Sequence, residues 1–347
     1  MNEPSNICYY AYNAGTFAPN VKMGRQGQYL CGHYSILATA YTIAIAKQKY
    51  PDIKISLPLV ISFGEPLDPN NQQGMFSMQY KPIMVDVDAG IRSMEFTGAW
   101  FLDPFLRGDY PPSMRQDPVI SSLLPAFTDE DKQALKAGLD FIALNYYTSS
   151  YVFNDPADVP GHYSTTNKRN GVDIGPMAGI EWQYLFPEGL KKLLIWLSQR
   201  YPGFKMWVSE LGVAGLNEGA LPREQAVNDD FRINFLKDHL SAIMDATTID
   251  NVPVEAILVW SLLDNWEWQY GYGPRFGVVA VDYTSGSLER TIKKSGYWLK
   301  DYFAYIPAKV DPSDQSRDQI TPKASTNDGA TMLKTGFVFI FCLMIFW

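Results

Sequence analysis

The strongest constraint in this sequence is a rhythm of short apolar runs, each closed by a polar residue, separated by stretches long enough for a helix. The runs cover residues 57–63, 140–145, 204–210 and 254–260, and Glu3 stands where an earlier one would end. Helical spacing fills the gaps at 26–50, 81–101, 129–139, 187–200, 224–246 and 289–306. In the first of these, Leu30, Tyr34, Leu37, Ala38, Tyr41 and Ile45 recur at three- and four-residue steps until Pro51 stops the helix. In the last, Tyr297, Leu299 and Phe303 are the candidates for burial. Residues 148–179 are polar and rich in Gly, Pro and Asn, which predicts one long loop. Strands joined by helix-sized crossovers pair in parallel, with helices covering the sheet. Glu3, Glu65, Asn145, Glu210 and Glu267 gather at or beyond the ends of the runs, where a (β/α)8 barrel builds its active site. No glycine-rich phosphate loop follows a run, so a dinucleotide-binding sheet is not expected.

Residues 254–283 carry the densest chemistry. Behind the last apolar run come Trp260, Asp264, Trp266, Glu267 and Trp268, then Tyr270, Tyr272, Arg275, Phe276 and Gly277. Aromatic faces beside fixed hydrogen-bonding groups suit a sugar ring, whose C–H face stacks and whose hydroxyls are bonded individually. Each aromatic taken alone is better read as core.

A net charge of −8 leaves no basic stripe for phosphates and argues against nucleic acid. The three cysteines (Cys8, Cys31 and Cys342) form no metal motif or disulfide framework, although a single Cys8–Cys31 bridge remains open. His33, His162 and His239 read as helix or loop residues, and neither a metal nor a cofactor is expected. The sequence ends in a polar linker, 306–335, and an apolar tail, 336–347. The tail is too short to span a bilayer, which takes roughly 20 residues. Small residues, a polar spacer and a terminal apolar tail follow the pattern of a signal replaced by a glycolipid anchor. The expectation is a secreted or cell-surface protein attached to membrane through this tail, with no N-terminal signal in the sequence itself.

The block 254–283 resembles the eighth-strand signature of glycoside hydrolase family 1, the β-glucosidases and their relatives. Asn2-Glu3-Pro4, Asn145-Tyr146-Tyr147 and Ser209-Glu210-Leu211-Gly212 fall in the family's order. The resemblance covers residues 1 to about 305 and implies a TIM barrel of which residues 1–305 supply the C-terminal half, from the end of strand 4 to strand 8. It implies a retaining β-glycosidase, which needs two carboxyl groups roughly 5 Å apart. Glu3 would be the acid/base and Glu210 the nucleophile, with Asn2 on the sugar's 2-hydroxyl. Tyr147 would donate to Glu210, with Asn145 in support, and Trp260 would lie beneath the ring. Glu267 and Trp268 would bind its outer hydroxyls, Phe276 would line the C6 end, and Trp182 would flank the leaving group. Leu211 replaces the family's asparagine, and the early glutamine and His-Trp pair have no counterpart. The implied partner is a small β-glycoside or oligosaccharide, with this chain by itself incomplete and inactive. Two alternatives stand beside it: a glycan-binding or scaffold relative without turnover, and a transglycosidase of the same family.

Overall fold

The computed structural model describes residues 1–73, 83–157 and 161–305. The linker 306–335 and the tail 336–347 lie outside these, and with them the expected anchor. Among the described residues no helix is long and apolar enough to cross a membrane.

Four strands form a parallel sheet in chain order: β1 (Pro58–Val60), β2 (Ile142–Tyr146), β3 (Met206–Leu211) and β4 (Val254–Val259). Each lies within an expected run or one residue beyond it. All five residues of β2 are buried, as a strand covered on both faces must be. Glu3 donates its amide to the Pro58 carbonyl at 3.0 Å, which holds the start of the chain beside β1.

Helices precede, join and follow these strands: α1 (Gly24–Lys49) comes before β1, α2 (Val85–Met94), α3 (Pro187–Arg200) and α4 (Asp230–Thr248) lie in the successive crossovers, and α5 (Lys294–Tyr305) follows β4. α3 starts on Pro187, where a missing N–H costs nothing, and buries Leu190, Leu193, Leu194 and Leu197 in the main core. That core lies between sheet and helices, and includes Trp100, Phe101, Tyr146, Met206, Phe235 and Leu240.

The structure corrects several details. α1 has the expected length, but its buried side is Tyr29, Gly32, His33, Ile36, Ala40 and Ile43, while Tyr34, Tyr41 and Ile45 are exposed. Gly32 shows why: a Cβ there would lie 2.2 Å from the Trp100 ring, so this is the face that closes on its neighbour. The 81–101 helix begins at Val85, widens into a π-helical turn at Glu95–Ala99 and continues through Trp100–Arg107. The 129–139 helix stops at Leu135. Residues 148–179 are not one loop, because Ser150–Asn154 pairs antiparallel with Tyr163–Thr166. The last helix begins only at Lys294, after a short strand at Arg290–Ile292, and Tyr297 is exposed while Leu299 is fully buried. Cys8 and Cys31 form a disulfide, with Cα atoms 5.5 Å apart.

Candidate active site

The ends of β2 and β3 and the first residues of the chain bring Asn2, Glu3, Asn145, Tyr147 and Glu210 together. Glu210 is 4% exposed and holds two donors: the Tyr147 hydroxyl at 2.5 Å from Oε2 and the Asn2 amide at 3.3 Å from Oε1. Glu3 Oε1 accepts from Asn145 Nδ2 at 3.0 Å, and Oε2 accepts from Asn6 at 3.2 Å. The same Asn145 nitrogen reaches Asn2 Oδ1 at 3.1 Å, so two amides link the carboxyl groups. Glu3 has a φ of 44°, a left-handed conformation that a glutamate rarely adopts and that the surrounding contacts must hold.

Burial raises the Glu3 and Glu210 carboxyls above their ordinary range, and the charge on Glu3 adds to the rise at Glu210. The bonds from Tyr147 and Asn2 pull Glu210 back toward its ionised form. Glu267 is pushed up to about 7, by burial first and then by Glu3. The site is therefore a cluster of three carboxyls that holds its protons more tightly than water would.

Tyr147 is held between aromatic edges. Its ring meets Trp182 at 5.9 Å and 85°, and Phe276 at 5.9 Å and 86°. Tyr147, Ile180, Ala214 and Phe276 form a second apolar cluster, with Trp182, Trp260 and Tyr270 packed against it. Trp260 follows β4, and its amide donates to the Leu211 carbonyl at 3.0 Å. Gly212 is required by that approach, since a Cβ there would lie 2.0 Å from the Trp260 oxygen. The leucine at 211 does no harm to the carboxyl pair: its side chain is fully buried in the main core.

Two further residues at or beyond strand ends make contacts of their own. Glu65 forms an ion pair with Lys192 at 2.8 Å on a separate small sheet. Trp268, 42% exposed, stacks on Phe17 with centroids 5.2 Å apart and planes 8° apart, and Phe17 stacks in turn on Tyr10.

This arrangement of carboxyls, amides and aromatic rings can be set beside known proteins. The sequence profile described as glycosyl hydrolase family 1 matches residues 1–305. The chain belongs to glycosyl hydrolase family 1. It is similar to beta-glucosidase 11 of Oryza sativa subsp. japonica, 35% identical over 324 residues that cover 87% of this chain and 58% of that protein. It is also similar to raucaffricine-O-beta-D-glucosidase of Rauvolfia serpentina, at 34% identity over 93% of this chain and 65% of that one. Among solved structures, a family 1 β-glucosidase from Humicola insolens in complex with glucose superposes with a TM-score of 0.80 at 33% identity. That match covers 88% of this chain and 64% of the other. The chain thus spans about three fifths of the length of the relatives it matches.

Two residues around this pocket were not named as site residues from the sequence. Ser209, beside the nucleophile candidate, donates its hydroxyl to Asn145 Oδ1 at 2.7 Å and so turns the Asn145 amide nitrogen toward Glu3 and Asn2. Gln183 is fully buried and ties three segments: it donates to the Tyr147 and Gly212 carbonyls and accepts from the Ala214 amide. Its position next to Trp182 was the available signal, but a glutamine in a polar loop gives no hint of burial.

Proposed function

We propose that this chain is the C-terminal part of a retaining β-glycosidase of the β-glucosidase kind, acting on small β-glycosides. The observation that carries the reading is the pair Glu3 and Glu210, bridged by Asn2 and Asn145, with Tyr147 on Glu210 alone. Tyr147 and Asn2 favour the charged form of Glu210, which suits a nucleophile. Among the described residues Glu3 accepts only from the amides of Asn145 and Asn6; burial raises both carboxyls, so the Tyr147 hydroxyl on Glu210 is what assigns the proton-carrying role to Glu3.

In the proposed reaction, Glu210 attacks the anomeric carbon while Glu3 gives its proton to the departing oxygen, forming a covalent glycosyl intermediate. Glu3 then takes a proton from water, which attacks the same carbon and releases Glu210. Trp260 would lie beneath the ring, with Glu267 and Trp268 toward its outer hydroxyls, Phe276 toward C6 and Trp182 toward the leaving group. The four-stranded sheet would be the second half of a barrel, with the first half supplied by a preceding segment. The Cys8–Cys31 bridge supports a secretory setting, since such bonds persist in oxidising compartments.

A second reading is favoured by the length match: a chain spanning about three fifths of its relatives can bind a glycan without turning it over. The test is to express the chain alone and extended by any coding sequence upstream of Met1, each with a Glu210→Ala control, on a chromogenic β-glucoside. Activity confined to the extended protein and lost in the control supports the enzyme. Saturable sugar binding without turnover in either protein replaces it with the binding protein.

A further inference from the structure

Behind the carboxyl pocket lie six ionic side chains, three of each sign, none more than 8% exposed: Glu218, Asp229, Asp264, Arg232, Arg275 and Lys293. They come from the loop after β3, the start of α4, the loop after β4 and the approach to α5. Lys293 donates to Asp264 Oδ1 at 2.8 Å and also pairs with Glu218, whose other oxygen accepts from Arg232 at 2.7 Å. Arg232 pairs with Asp229, which accepts from the Ser295 amide at 2.8 Å and hydroxyl at 2.6 Å. Burying ions carries a large desolvation cost, and well-packed apolar residues often serve stability as well or better. The contacts of this network with backbone show what else it does.

Asp264 Oδ1 accepts from the Gly277 amide at 2.9 Å, while the Arg275 carbonyl accepts from both Arg232 at 2.8 Å and the Gly215 amide at 3.1 Å. The chain is thus fixed on both sides of Phe276, whose own carbonyl accepts from Ser261 at 3.2 Å. The Phe276 ring is one of the two edges that hold Tyr147, and Tyr147 bonds Glu210. We infer that Lys293, acting through Asp264 and the Gly277 amide, is a positioning residue that holds Phe276 against Tyr147 and so keeps the Tyr147 hydroxyl on Glu210. This deepens the proposed role of Glu210 and rests on it only for its meaning in turnover.

The experiment places 3-fluorotyrosine at position 147 of the full chain and follows its fluorine resonance against pH. The groups facing Glu210 are Tyr147 and Asn2, with Glu3 and Glu267 as neighbouring charges, so the resonance reports the joint titration of these carboxyls as felt at the Tyr147 hydroxyl. Loss of the Tyr147 bond removes a contact that favours the charged carboxylate, so Lys293→Met moves the titration upward by about half a pH unit or more. Lys293→Arg, which keeps the charge, restores most of it. In an active extended protein the acid limb of kcat/KM moves the same way. A folded Lys293→Met protein with an unchanged Tyr147 titration overturns the inference. If that variant does not fold, Asp264→Asn is read in the same way, and failure of both to fold also overturns it in favour of a purely architectural role. An extended protein inactive at every pH would sink the proposed function and leave the fluorine result standing.

Discussion

Two sets of buried charge stand back to back in this molecule, and they are built on opposite rules. The network of Glu218, Asp229, Asp264, Arg232, Arg275 and Lys293 balances three anions with three cations, joined by direct ion pairs. The pocket of Glu3, Glu210 and Glu267 has three carboxyls whose resolved contacts come from neutral amides and a phenol. Balanced charge can stay ionised where water is excluded, whereas like charges must share protons. The first set fixes a backbone, and the second holds protons poised to move. The same chain segment, from Asp264 to Phe276, belongs to both.

The comparison breaks most visibly at Glu210. In an active extended protein, the proposed role of Glu210 predicts that Glu210→Gln lowers turnover of a β-glucoside by about four orders of magnitude, because a nucleophile and its acid/base act as a unit. Steady-state rates on a chromogenic substrate measure this, and a loss of less than about tenfold would remove Glu210 from the role. The balanced set should respond in stability instead. Arg232→Met leaves Glu218 and Asp229 short of a cation in a site where Arg232 is 1% exposed. The expected loss is about 3–5 kcal/mol in urea unfolding, and a loss below about 1 kcal/mol would show that the network is not a fixed unit.

The pH dependence sharpens the contrast. Glu267 is raised from an ordinary 4.5 to about 7, and Glu3 and Glu210 are raised as well. A carboxyl with a folded-state pKa above its unfolded value contributes stability below the unfolded value and loses it as pH rises through the folded one. The pocket therefore makes the protein less stable between about pH 4.5 and pH 7 and beyond. Glu210→Gln removes one of the repelling charges, so it should be more stable than the parent at pH 7.5, by on the order of 1–3 kcal/mol. At pH 4.5 the difference should nearly vanish. Denaturant midpoints at the two pH values decide it, and a parent that gains stability as pH rises through this window would contradict the assignment of shared protons.

What the sequence disclosed follows the same division. Strands β2, β3 and β4 were legible because short, mostly apolar runs ending at Asn145, Glu210 and Trp260 recur between helix-length segments. The carboxyl pair and Tyr147 were legible through motif order, and the structure brings all three together. The buried face of α1 was not, because apolar residues occur all around that helix. Contacts with partners distant in sequence, such as Gly32 and Tyr29 on Trp100 and His33 on Tyr110, select the side. The ionic network was equally hidden. Asp264 and Arg275 look like surface charges until Lys293, Glu218 and Arg232 arrive from three other segments.

The smallest expected effect tests the join between pocket and scaffold. The Ser209 hydroxyl, beside Glu210 on β3, is the group that orients Asn145. With the Ser209 hydroxyl on Asn145 Oδ1, the amide nitrogen faces Glu3; reversed, the amide would set its carbonyl oxygen against the same carboxyl. Ser209→Ala leaves a buried carbonyl oxygen without its donor and should cost about 1 kcal/mol of stability. In an active extended protein it should also lower the rate by roughly tenfold, equivalent to about 1.4 kcal/mol, with little change in KM. Ser209→Thr keeps the donor and should restore the rate. If alanine and threonine behave alike, the orientation of Asn145 is set by Glu3 and Asn2 alone, and the pocket is independent of the strand that carries Glu210.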